Sequence, residues 1–130
     1  MTGMRYIVND VDAATAFYTG LLGFSLVQQF GAAIAIVQRD DATLWLAGPT
    51  SSGARPMPDG RVPEPGGWNR LVIEVDDLDA AVEDLTAKGA VFRNTIVSGP
   101  GGRQILVEDP SGNPIELFEA RPGGPAAGSA

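Results

Sequence analysis

Apolar residues alternate with short breaks from the start of the chain. Met4 to Val8 is apolar and partly β-branched and predicts a strand. Val11, Ala14, Phe17, Tyr18, Leu21 and Leu22 then recur at the i, i+3, i+4, i+7 spacing of one buried helical face, with Asp10 or Asp12 placed to cap its start and Gly23 to stop it. Phe24–Phe30, Ala33–Gln38 and Ala42–Ala47 predict three short strands, with Gly31 and Asp40-Asp41 at the turns. Residues 48–67, GPTSSGARPMPDGRVPEPGG, hold five prolines and no periodicity, which predicts a long loop.

The plan then recurs. Trp68–Val75 predicts a strand, and Leu78, Ala81, Val82 and Leu85 mark a helical face that Gly89 ends. Val91–Val97 and Arg103–Glu108 predict strands, Asp109-Pro-Ser-Gly-Asn a tight turn, and Asn113–Ala120 a last strand. The RPGGPAAGSA tail, residues 121–130, is expected to be disordered. Val8-Asn-Asp-Val-Asp-Ala-Ala and Val75-Asp-Asp-Leu-Asp-Ala-Ala agree at five of seven positions at an offset of 67 residues, each between a strand and a helix. With the order strand, helix, three strands also recurring, this points to an internal duplication.

Composition narrows the chemistry. A chain of 130 residues is long enough for one domain with a real core. It contains neither cysteine nor histidine, which excludes disulfides, thiolate metal sites, cysteine nucleophiles and every Ser-His triad. Nine basic and 16 acidic residues give a net charge of −7, so nucleic acid is not an expected partner. No apolar run approaches the roughly 20 residues of a membrane span. The first residues, MTGMRYIVND, lack the basic-then-apolar order of a signal peptide, so the expected location is the cytoplasm.

Two βαβββ modules with these signatures resemble the vicinal-oxygen-chelate superfamily, the glyoxalase / bleomycin-resistance / dioxygenase group. The residues that carry the resemblance run from Val8-Asn-Asp-Val-Asp-Ala-Ala-Thr-Ala-Phe-Tyr to Leu22-Gly23-Phe24, and from Glu108-Asp109-Pro-Ser-Gly-Asn-Pro-Ile to Glu116-Leu117. The resemblance implies an α+β fold in which two βαβββ modules form facing curved mixed sheets around a cavity, helices on the convex side. It places a single domain over residues 1–120, with modules at about 3–48 and 67–120 and a linker at 49–66, and it implies a homodimer.

Catalytic members of that group hold a divalent ion with four side chains. Carried over by motif, those positions are Gly3, Trp45, Arg70 and Glu116. Glycine has no ligand atom, indole only donates, and guanidinium is a permanent cation. The expectation is therefore no metal and no cofactor, with an Arg70–Glu116 pair where the ion would sit. Strand alternation adds neighbours on the implied cavity side: Arg5 and Ile7 with Gly3, Trp68, Val72 and Glu74 with Arg70, Thr43 and Ala47 with Trp45, and Phe118 after Glu116. The candidate ligand-binding residues are Arg5, Trp45, Trp68, Arg70, Glu74, Glu116 and Phe118. The leading expectation is a metal-independent protein that sequesters a planar, hydrophobic or aromatic natural product or antibiotic, stacked on a tryptophan and anchored by Arg70 or Glu116. The alternative is a metal-free isomerase, cyclase or lyase acting on a natural-product intermediate with Glu116 or Glu74 as base. A metal-dependent glyoxalase or dioxygenase fits the ligand positions least.

Overall fold

The computed structural model of the chain describes residues 2–122. It contains two helices and nine strands in two mixed sheets, with no closed barrel. By contacts it divides into two compact units. The first runs to Gly66 and takes in Pro110–Asn113; the second comprises Gly67–Asp109 and the chain from Pro114 onward.

In the first unit, β1 (Met4–Ile7) leads into α1 (Val11–Leu21), followed by β2 (Ser25–Phe30), β3 (Ile34–Arg39) and β4 (Ala42–Ala47). The sheet order is β1-β4-β3-β2, with β1 parallel to β4 and the rest antiparallel. Asp10 caps α1 by accepting the Ala13 N–H at 3.0 Å, a contact worth about 1 kcal/mol. Tyr6, Leu44, Leu46, Ala35 and Val37 form the buried face against Val11, Ala14, Phe17 and Tyr18 of the helix. A register shift between Leu26 and Gln28 leaves Val27 as an extra residue in β2. The loop after β4 is partly built: Ser52–Ala54 makes a 3-10 turn with Ala54 buried. Gly48 is required there, because a Cβ would lie 2.6 Å from the Ala32 carbonyl and 2.7 Å from the Val11 side chain.

In the second unit, β5 (Leu71–Glu74) and α2 (Leu78–Ala87) lie 67 residues after β1 and the start of α1, as the repeat implies. Asp77 caps α2 through Ala80 N at 3.0 Å. Four further strands follow: β6 (Val91–Phe92), β7 (Val97–Gly99), β8 (Gly102–Glu108) and β9 (Pro114–Ala120). Again the first strand pairs in parallel with the last, in the order β5-β9-β8-β6 with β7 also on β8. On one face of this sheet Arg103 bonds Asp79 and Glu119, while Glu119 accepts the Leu78 N–H at 2.7 Å and so ties α2 to β9. The hydrogen bond from Arg103, aided by its charge, holds the Asp79 carboxyl below the usual carboxylate range.

Two expected strands differ from the structure. Val91–Val97 is not continuous: Val91 and Phe92 pair with Glu108 and Val107, whereas Val97 pairs with Gln104, so four residues span the stretch opposite Ile105 and Leu106. The Asn94 side chain takes the Leu106 N–H at 3.0 Å, displacing the backbone acceptor that a regular strand would offer. The strand expected from Trp68 begins only at Leu71. Leu71 pairs with Ile115, so the residue next in line on β9 is Pro114, which has no N–H to extend the ladder.

The Asp109-Pro-Ser-Gly-Asn turn is structural. Ser111 Oγ accepts the Asn9 N–H at 2.8 Å, and buried Asn113 donates to the Ile7 carbonyl and accepts from Gly66 N, both at 2.7 Å. The expected disordered tail falls mainly on residues 123–130, which lie outside the described residues. Arg121 donates its backbone N–H to Gly101 and its side chain to Gly99. No helix among the described residues is long and apolar enough to cross a membrane.

Candidate functional site

The candidate residues form one cluster in each unit. In the first, the β1–β4 register sets Arg5 beside Trp45, with Ile36 of β3 on Trp45's other flank. These positions alternate with Tyr6, Leu44, Leu46 and Ala35, so they lie on the sheet face away from α1. The Arg5 guanidinium carbon stands 5.1 Å from the Trp45 ring centroid, a cation–π contact. The other side of Arg5 rests on Gly53 of the 3-10 turn: a Cβ there would run into Nη1 and lie 2.9 Å from both Cδ and Cζ. Gly3, Met4, Arg5 and Trp45 line a cleft of about 170 Å³. The Trp45 indole Nε1 is screened from solvent and donates to nothing.

In the second unit, Arg70 and Glu116 meet. Arg70 donates Nε at 2.9 Å and Nη2 at 2.6 Å to the same oxygen, Oε1, and Nη1 to the Trp68 carbonyl at 3.2 Å. Glu116 is 7% exposed, so this is a largely desolvated pair. β9 carries it between Val72 of β5 and Leu106 of β8, and two residues on Phe118 lies between Glu74 and Gln104. Glu74 itself is exposed. Trp68 precedes the strand and is 69% exposed, so it is neither core nor part of the pleated face expected for it. Its ring is held from one side by Arg93, whose guanidinium carbon lies 4.7 Å from the centroid. Arg93 is fixed by Glu108 at 2.8 Å and by the Gly67 carbonyl at 2.6 Å. Neither Arg93 nor Gly53 was reachable from sequence. Arg93 lies in the buckle that breaks a predicted strand, and Gly53 in a loop without periodicity.

A divalent ion does not fit the donor set. Gly3 and Trp45 of the first unit offer no side-chain lone pair to a metal, and in the second the carboxylate of Glu116 is already paired with a fixed positive charge. Among the described residues no three His, Cys, Asp or Glu side chains gather closely enough to hold a metal ion. Both guanidinium bonds go to Glu116 Oε1.

Known proteins share this architecture. The sequence profile of the Glyoxalase/Bleomycin resistance protein/Dioxygenase superfamily matches residues 3–117. The uncharacterized protein YaeR of Escherichia coli (strain K12) is 32% identical over 124 residues, covering 87% of this chain and 90% of that protein. A glyoxalase/bleomycin resistance protein/dioxygenase from Nocardioides superimposes with a TM-score of 0.72 at 25% identity, over 95% of this chain and 85% of that one. TnmS3, an antibiotic binding protein from Streptomyces sp. CB03234, gives a TM-score of 0.66 at 26% identity, over 93% and 97%. A repeated strand-helix plan with the first strand of each sheet laid parallel to the last, a profile match across nearly the whole chain and a relative of similar length and 32% identity all agree, and the chain belongs to the Glyoxalase/Bleomycin resistance protein/Dioxygenase superfamily.

Proposed function

We propose that this protein binds a planar, largely apolar small molecule without using a metal, in the manner of a sequestering or resistance protein. The observation that carries the reading is the Arg70–Glu116 pair: the position best suited to a metal carboxylate ligand is neutralised by a guanidinium. Two tryptophans, each with an arginine against its ring, supply stacking surfaces, Trp45 beside its cleft and Trp68 on an exposed turn. Indole rings combine large apolar area with a fixed geometry, which suits flat ligands. The likeness to an antibiotic binding protein at 26% identity supports this class of ligand.

A thermal-shift screen against polycyclic aromatic natural products is expected to give hits, and their titration should quench tryptophan fluorescence. Trp45→Ala or Trp68→Ala should weaken the best hit by about 1–3 kcal/mol, the scale of burying one large apolar side chain, and added chelator should leave the titration unchanged. Unaltered affinity in both variants, or chelator-dependent binding, would count against the reading.

We also propose a homodimer. β2 is an edge strand of its sheet, and Leu26, Val27 and Phe30 on it are all about half-exposed, Phe30 at 55%. An open edge with apolar side chains invites association. Light scattering at roughly tens of micromolar should return twice the chain mass, since weak pairing of such edges is concentration-dependent; a single-chain mass rejects the dimer.

A further inference from the structure

We infer that the ligand held at the Trp45 cleft carries an anionic group, a carboxylate, sulfonate or phosphonate on its aromatic frame, and that Arg5 receives it. This rests on the small-molecule binding proposed above and adds the charge of the ligand and the residue that reads it.

Arg5 is one of three arginines, with Arg55 and Arg121, that no carboxylate pairs among the described residues, and of these three it alone stacks on an aromatic ring there. Arg39, Arg61, Arg70, Arg93 and Arg103 each lie within 4.0 Å of a carboxylate. Arg5 has no such partner among the described residues, in a chain with 16 acidic side chains and a net charge of −7. It is exposed, and it is flanked on two sides. The Trp45 ring faces the guanidinium at 5.1 Å, and Gly53 leaves the space that the side chain fills. A rigid fork of donors with its counter-charge missing is the arrangement that planar oxyanions match bidentately.

The surroundings narrow the complement further. None of the four residues that line the cleft is acidic. A guanidinium has no acceptor capacity, so Arg5 asks for a group that accepts. A neutral apolar ligand covering Arg5 would strip water from the charge and give nothing in return. Arg70, in the second unit, already has its charge paired with Glu116.

The test uses two probes that share the anilinonaphthalene frame: 8-anilinonaphthalene-1-sulfonate, which is anionic, and N-phenyl-1-naphthylamine, which is neutral. Fluorescence titration of the full chain is expected to show the sulfonate binding at least about tenfold more tightly, with a preference that shrinks as salt rises. Arg5→Gln should bring the ratio of the two affinities close to one. Gly53→Ala keeps the charge but drives the guanidinium off its seat, and should lower the ratio as well. Equal affinity for the two probes in the wild type, or a preference that survives Arg5→Gln, overturns the inference and leaves apolar binding standing. Binding of neither probe overturns both.

Discussion

Tyr18→Ala is expected to cost about 3–5 kcal/mol of folding stability, the range for removing a large aromatic side chain from a core. Tyr18 is fully buried in α1. Its ring meets Phe17, Phe24 and Tyr6 edge-on, at centroid distances of 5.1, 5.6 and 6.1 Å. Each edge-to-face contact adds to the area buried, because the positive rim of one ring meets the negative face of the next. The three partners come from the same helix, from the segment after it and from β1, so the cavity left by alanine cannot close by moving one side chain. Urea denaturation should show a lower midpoint with an unchanged slope. Tyr18→Phe keeps the three ring contacts and should recover most of the loss. A cost below about 1 kcal/mol for Tyr18→Ala would mean that the site collapses around the gap, contrary to the partial relaxation usual in close-packed cores.

Arg70→Met should be the more damaging change at the candidate site, at about 3 kcal/mol, because it strands a desolvated carboxylate. Glu116 lies on a strand flanked on both sides, and its side chain is 10% exposed against 27% for Arg70. Removing the guanidinium deletes both hydrogen bonds to Oε1 at once. The double variant Arg70→Met/Glu116→Leu removes the charge together with its partner and is expected to regain most of the stability, as apolar replacements of buried pairs commonly do. Denaturant melts of the single and double variants decide the matter: equal losses in both would show that the pair contributes shape and not charge compensation.

Much of the fold was legible in the chain because it is local. The Asp10 and Asp77 caps, both helices and the 67-residue offset between β1 and β5 follow from spacing that a single segment carries. Hydrophobic alternation likewise puts Tyr6, on the parity opposite to Arg5, on the helix side of the first sheet, where it is buried. The meeting of Arg70 and Glu116, 46 positions apart, came within reach only through the resemblance to a known family, since no local pattern links them.

What the sequence determined by itself is therefore the order of elements, their caps and the kinds of side chain available for chemistry, with no histidine or cysteine among them. Tertiary structure alone decided where the ladders stop and which arginines are engaged. β5 begins at Leu71 because Pro114 stands where the next rung would be, and that releases Trp68 to the surface. Asn94 breaks the strand before β8, and Arg93 in that break turns back to hold the Trp68 ring. Gly3, not Arg5, is the counterpart of Arg70 at the 67-residue offset, and of the two arginines Arg70 finds a carboxylate while Arg5 finds a tryptophan and a glycine. The reason is physical: a strand's length and a cation's partner depend on which distant segment lies alongside, and side-chain periodicity encodes only the face, not the neighbour.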